Sequence, residues 1–140
     1  MSPAAGRRVT ASDLGLLALR AGLAAVFVAH GYVKLFGGHD RTVALFMTVN
    51  IPAPEAMAWV VGVLELAGGL ALAVGLGTRV AAGLLAADMA VAITRVRWPQ
   101  GFLGAAEFEV VLLLACLALF GTGSGRISLD AGLSLRRNAR

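Results

Sequence analysis

Four apolar runs, each long enough to cross a bilayer as a helix, occupy almost the whole chain. They cover residues 14–36, 54–76, 78–97 and 105–120. A transmembrane helix needs roughly 20 predominantly apolar residues. Four spans with short loops leave no room in 140 residues for a separate soluble catalytic domain. The chain is therefore expected to be all-α, an integral membrane four-helix bundle. Its divisions are a cytoplasmic N-terminal arm (1–13), the transmembrane domain (14–122) and a cytoplasmic tail (123–140). Composition agrees: 59% of residues are hydrophobic and 14% charged, against about 45–50% and 25% in soluble domains.

Within the second run lies Glu65-Leu66-Ala67-Gly68-Gly69. A carboxylate at the centre of a span is costly and is kept where it faces protein and has a partner or a task. Glu65 shares a helical face with Gly62, Gly69 and Leu72, beside Gly68 and Gly75. Small residues let helices approach closely in lipid, so this is a packing face containing a charge. In the first run, Arg20, Phe27, Gly31 and Lys34 share one face, which should point into the bundle. In the third run, Asp88 lies mid-course with Arg95 two turns further on the same face. Glu107 and Glu109 open the fourth run roughly 160° apart, so at most one faces the bundle axis.

At about 1.5 Å rise per residue, Arg20, Glu65 and Asp88 fall at similar depths, and Lys34 and Glu107 lie nearer the other surface. Two layers are expected: Arg20 with Glu65 or Asp88, and Lys34 with Glu107. Such pairs could serve only to fix helix neighbours. They could instead line a polar pocket for a small molecule with a polar head, such as a quinone, or form a proton or solute pathway. His30 is a candidate proton donor or a packing residue.

Several chemistries find no support. Only Cys116 is present, so neither an intramolecular disulfide nor Cys-x-x-Cys chemistry is possible. His30 and His39 lack a close-spaced second ligand, and no metal site, phosphate loop or nucleophile–base triad is legible. The net charge of +4 is spread over loops and termini, which fits span orientation and gives no reason to invoke nucleic acid. With both termini cytoplasmic, the inside carries Arg7, Arg8, Arg79, Arg126, Arg136, Arg137 and Arg140. The outside carries Lys34, Arg41, Arg95 and Arg97, so the bias favours N-in and C-in. The first run is expected to stay as a helix, capped by Ser12 or Asp13. Residues 42–49 suggest a short interfacial helix, and the tail beyond Asp130 is expected to be mobile.

Certain segments resemble the DoxX family. His30-Gly31-Tyr32-Val33-Lys34-Leu35-Phe36-Gly37 resembles its first-helix signature, and Glu65-x-x-Gly68-Gly69-x-x-Leu72-x-x-Gly75, followed by Thr78-Arg79, its second. Glu107 sits where the family carries a glutamate. Gly123-Ser124-Gly125-Arg126-Ile127-Ser128-Leu129-Asp130 matches its closing motif. The resemblance spans residues 14–132 and implies a four-helix bundle of the bacterial cell membrane. It also implies quinone-linked or oxidative-stress and sulfur redox chemistry, since a family relative is a subunit of a thiosulfate:quinone oxidoreductase. Soluble redox enzymes on the cytoplasmic side and a homo-oligomer are the partners it suggests. No cofactor is encoded in the chain, and a bound quinone is the expected small molecule. This sequence departs from the family in carrying Ala105-Ala106 before Glu107, and Arg95 and Arg97 where a histidine is expected. In the closing motif, Gly123 and Gly125 permit a sharp exit from the last span. Arg126 can cap helix-end carbonyls or meet lipid phosphates, and Ser128 and Asp130 can tie the tail to backbone N–H groups.

Overall fold

The computed structural model describes residues 9–138, so Arg7, Arg8 and Arg140 lie outside the described residues. Six α-helices follow one another: α1 (Ala11–Tyr32), α2 (His39–Thr48), α3 (Pro54–Val74), α4 (Thr78–Val91), α5 (Glu107–Thr122) and α6 (Leu129–Asn138). Among the described residues there is no strand. α1 begins earlier than expected because Thr10 caps it in place of Ser12 or Asp13. Thr10 Oγ1 accepts from the Asp13 N–H, and Asp13 Oδ2 accepts from the Thr10 N–H at 2.9 Å, a reciprocal capping box. α3 opens on Pro54, whose missing N–H costs nothing at a first turn.

Three segments are long and apolar enough to cross a membrane: Ala11–Gly37, Pro54–Val74 and Phe102–Thr122. The fourth expected span is not among them. Its α-helical part is 14 residues long, and with its extension it carries Arg79, Asp88, Arg95 and Arg97. α4 nonetheless packs along α3 and α5, while α1 lies along α3. The outward faces are apolar: Val60, Val63, Leu70, Val80, Val111, Leu114 and Phe120 are each about half-exposed or more. A surface of that kind requires lipid, and the chain is an integral membrane protein.

The interior has two layers. Leu23, Phe27, Leu72, Leu85, Leu112, Cys116 and Leu119 form a dry core across α1, α3, α4 and α5. Without a hydrophobic drive between helices in lipid, close packing must hold this core. The closest approach is at Gly31. A Cβ there would stand 2.8 Å from the Gly62 carbonyl oxygen and 2.8 Å from Leu66 Cα, so α1 and α3 can meet only at glycine. Gly62 receives Leu35, Gly69 receives Phe27 and Val28, and Gly68 receives Leu85.

The chain ends the bundle with a tied closure rather than a loose tail. Arg20, 2% exposed, donates from Nε to the Leu72 carbonyl at 2.9 Å. Its Nη1 donates to Ser124 O at 2.5 Å and Ile127 O at 2.8 Å, and Nη2 to Ala73 O at 3.3 Å. The expected Arg20–Glu65–Asp88 layer is therefore not formed. The reason is directional: helix side chains lean toward the helix N-terminus, so Arg20 reaches to the bundle end instead of its middle. Asp13 Oδ1 accepts from the Arg126 N–H at 2.9 Å. Ser128 Oγ donates to Gly125 O at 2.7 Å, and Gly123 and Gly125 take positive φ at the exit of α5. Asp130 accepts from the Gly77 and Thr78 N–H groups at 2.8 and 3.1 Å, capping α4 from across the sequence. The tail is helical over Leu129–Asn138, α6.

Burial raises the Asp130 carboxyl, but the hydrogen bonds from Gly77, Thr78 and Ser124 outweigh it and hold it below the usual carboxylate range. A lowered carboxylate contributes stability that is present above its unfolded value, about 4. That stability disappears as pH falls through the lower folded value. The melting-temperature difference between wild type and Asp130→Asn is thus expected to be full near pH 7 and to shrink below pH of about 4. A difference that stays constant across that range would contradict the charged cap.

Candidate functional site

The second interior layer is polar and lies at the opposite end from the closing motif. α1 passes through a π-helical turn, Val33–Gly37, which carries Lys34. α4 passes through another, Ala92–Arg97, which carries Arg95 and Arg97. Residues Phe102–Ala106 lead into α5 across a kink where Leu103 and Gly104 leave helical geometry. π-turns are uncommon and concentrate at functional sites. The two turns contribute Lys34, Ala92, Arg95, Val96 and Arg97 to the wall of one cavity of about 370 Å³, and α5 contributes Phe108, Glu109 and Leu112. The walls are largely apolar, with Phe27, Met57, Met89 and Leu112 prominent, and α2 contributes Thr42, Leu45 and Phe46.

At the inner end of the cavity Lys34 Nζ meets Glu65 Oε1 at 2.5 Å. Lys34 leans back toward its helix N-terminus and so reaches the bundle middle, the same directional rule that carried Arg20 away from it. Glu65 is 1% exposed, and its Oε2 receives no hydrogen bond from the protein. The Asp88 carboxyl lies against that of Glu65, within the field of Lys34, and its Oδ2 is also buried and without a hydrogen bond. The cluster therefore offers a donor, the Lys34 ammonium, and two unbonded acceptor oxygens, Glu65 Oε2 and Asp88 Oδ2. It can also pass a proton to a bound group.

At the outer end Arg97 Nε pairs with Glu109 Oε1 at 2.7 Å, and Arg95 stands exposed in the cavity wall. Glu109, not Glu107, faces inward, because only one of the two can do so. Glu107 is exposed, and the expected Lys34–Glu107 pair is replaced by Lys34–Glu65. His30 lines the cavity at its side, exposed, with its ring 6.2 Å from that of Phe108 in stacked orientation. The structure thus brings Lys34, Glu65, Asp88 and His30 around one space and leaves Arg20 and Glu107 outside it. Sequence reasoning missed the Arg97–Glu109 pair and the contribution of α2. The signal for the pair was available: the two residues flank a short turn between adjacent helices. Among the described residues no group of His, Cys, Asp and Glu could hold a metal ion.

These features define a class: a helical integral membrane protein with a charged cluster at the inner end of a cavity between its helices. Within that class the chain belongs to the DoxX family, whose model matches residues 15–98. The match takes in Lys34, Glu65 and Asp88, and ends before α5 and the closing motif. The chain is 36% identical over 118 residues to a Bacillus subtilis protein named "Putative oxidoreductase CatD", covering 84% of this chain and 86% of that one. It is also 36% identical over 127 residues to "Uncharacterized membrane protein Rv3486" of Mycobacterium tuberculosis, covering 81% and 78% respectively. No solved structure matches the chain.

Proposed function

We propose that this protein is a bacterial cell-membrane subunit of a quinone-linked oxidoreductase system, with its cavity as the quinone site. The observation that carries the reading is the Lys34–Glu65–Asp88 cluster at the inner end of an apolar cavity, with Glu65 Oε2 and Asp88 Oδ2 unbonded. A quinone brings an apolar ring, carbonyl acceptors and the capacity to take up electrons and protons. Lys34 would hold one carbonyl, and the carboxyl pair would supply or receive a proton at its oxygen. Phe27, Met89 and Leu112 would pack the ring. The apolar tail could leave between His30 and Phe108 toward lipid. Cys116 alone cannot cycle an intramolecular disulfide, so the electrons would come from a partner protein. The name of the Bacillus relative is consistent with this class of chemistry. The termini would be cytoplasmic, as Arg79, Arg126, Arg136 and Arg137 lie at the closing end.

Protein purified in mild detergent should release close to one quinone per chain on lipid extraction, and Glu65→Gln should lower that yield. Wild-type protein that carries no quinone and takes up none when it is supplied would refute the reading.

A second reading, a membrane anchor for soluble redox enzymes, is favoured by α6. That helix presents Leu133 and Leu135 exposed, with Arg136 and Arg137 in its last turn. Deleting residues 131–140 should then abolish capture of such partners without loss of bound quinone. Full capture by the truncated protein would exclude this role for the tail.

A further inference from the structure

The distribution of polar groups along the bundle is one-sided. The ionisable side chains around the cavity are His30 from α1, Lys34 from the turn after it, Arg95 and Arg97 beyond α4, and Glu109 from α5, together with Glu65 and Asp88 themselves. From the cluster outward, each lies toward the α2 end. Arg95 is exposed and Arg97 is 42% exposed along its side chain. A guanidinium exposed at that depth must sit in water or among headgroups, not hydrocarbon.

In the other direction the cluster meets the dry core. Leu72, Leu85 and Leu119 are 0% exposed, Phe27 is 1% exposed, and Cys116 is enclosed among them. A water needs two to four polar partners and room to sit, and a proton needs a chain of such sites. Beyond the core stand the buried Thr78 hydroxyl and Arg20. The Arg20 guanidinium already donates to four backbone carbonyls and has no acceptor atom.

We propose that the cavity is a one-sided vestibule, open to water at the α2 end and blind toward the closing motif. Water, protons and polar parts of a ligand then reach Lys34, Glu65 and Asp88 only from the α2 side. This takes the same cavity as the proposed function but does not depend on its ligand being a quinone. It also separates the protein from a through-membrane carrier, which would need alternating access to both ends.

The test uses full-length protein carrying Cys116→Ala, which removes the one native thiol, reconstituted in vesicles. A membrane-impermeant cationic thiosulfonate is supplied from one side at a time. Ser134→Cys on the exposed side of α6 reports orientation. Ala92→Cys in the cavity wall is the probe, with Val96→Cys as a second position should the first variant fold poorly. Labelling of the probe is expected from the side opposite Ser134→Cys, with complete loss when reagent is confined to the Ser134→Cys side. Labelling from the Ser134→Cys side, or from neither side, would overturn the vestibule. Protein that holds no quinone but shows one-sided labelling would defeat the proposed function and leave this inference standing.

Discussion

Lys34→Met is expected to empty the cavity of quinone and to destabilise the protein by about 3–5 kcal/mol. Removing one member of a buried ion pair leaves the other charge uncompensated, and that is the usual cost. Glu65 has no alternative cation within the described hydrogen bonds, because Arg20 is spent on carbonyls at the far end. The two consequences can be separated. In Lys34→Met with Glu65→Met, both partners become apolar and of fitting length, so much of the lost melting temperature should return. Bound quinone should not return, because the donor and the carboxyl pair are both gone. A double variant that recovers stability and quinone together would show that the pair only joins α1 to α3. Thermal melts and lipid extraction on the same preparations read both quantities.

Arg20→Leu is expected to have a comparable effect on stability by a different route. Charged hydrogen bonds contribute about 1.5–3 kcal/mol each. Arg20 makes four of them, two to the closing motif and two to the C-terminal turn of α3. Water can reach some of the freed carbonyls, so the net loss should be roughly 3–5 kcal/mol rather than the full sum. Arg20→Lys should rescue little, since an ammonium has three donors in place of a planar fork. Gly75 shows how closely the site is fitted: a Cβ there would lie 2.9 Å from the Arg20 guanidinium carbon, and its φ is +69°. The variant should become sensitive to protease at residues 123–130 while the intact fraction still binds quinone below its melting temperature. Loss of quinone with no change in protease sensitivity would place Arg20 in the wrong half of the molecule.

The contrast between these two residues shows what the sequence could and could not convey. Membrane class, all-α character and the glycine face of α3 were legible because periodicity and composition report them directly. Glu65 stood out for the energetic reason that a lone carboxylate in a span is costly. The partners were misassigned because depth along a helix was read from Cα positions. Arg20 and Lys34 each reach back toward the start of α1, a displacement of several Å that moved one out of the central layer and the other into it. Glu107 and Glu109 could not be separated by spacing, since the kink at Leu103 and Gly104 sets the register of α5. The π-turns carrying Lys34, Arg95 and Arg97 have no local sequence signature of comparable strength, and neither does α6 as a capped continuation of the closing motif. The third run was expected to be a full span, and neither the end of α4 at Val91 nor its place between α3 and α5 could be read from periodicity, because both are matters of tertiary packing.

The most direct test of the proposed quinone site is photolabelling of the membrane-embedded protein with an azido-quinone, followed by mass mapping of the modified residues. Adducts are expected on the cavity wall, at Met89, Phe108 or Leu112, competed by unmodified quinone and lost in Lys34→Met. Adducts confined to lipid-facing positions such as Val63 or Leu114, or labelling that Lys34→Met leaves unchanged, would contradict it.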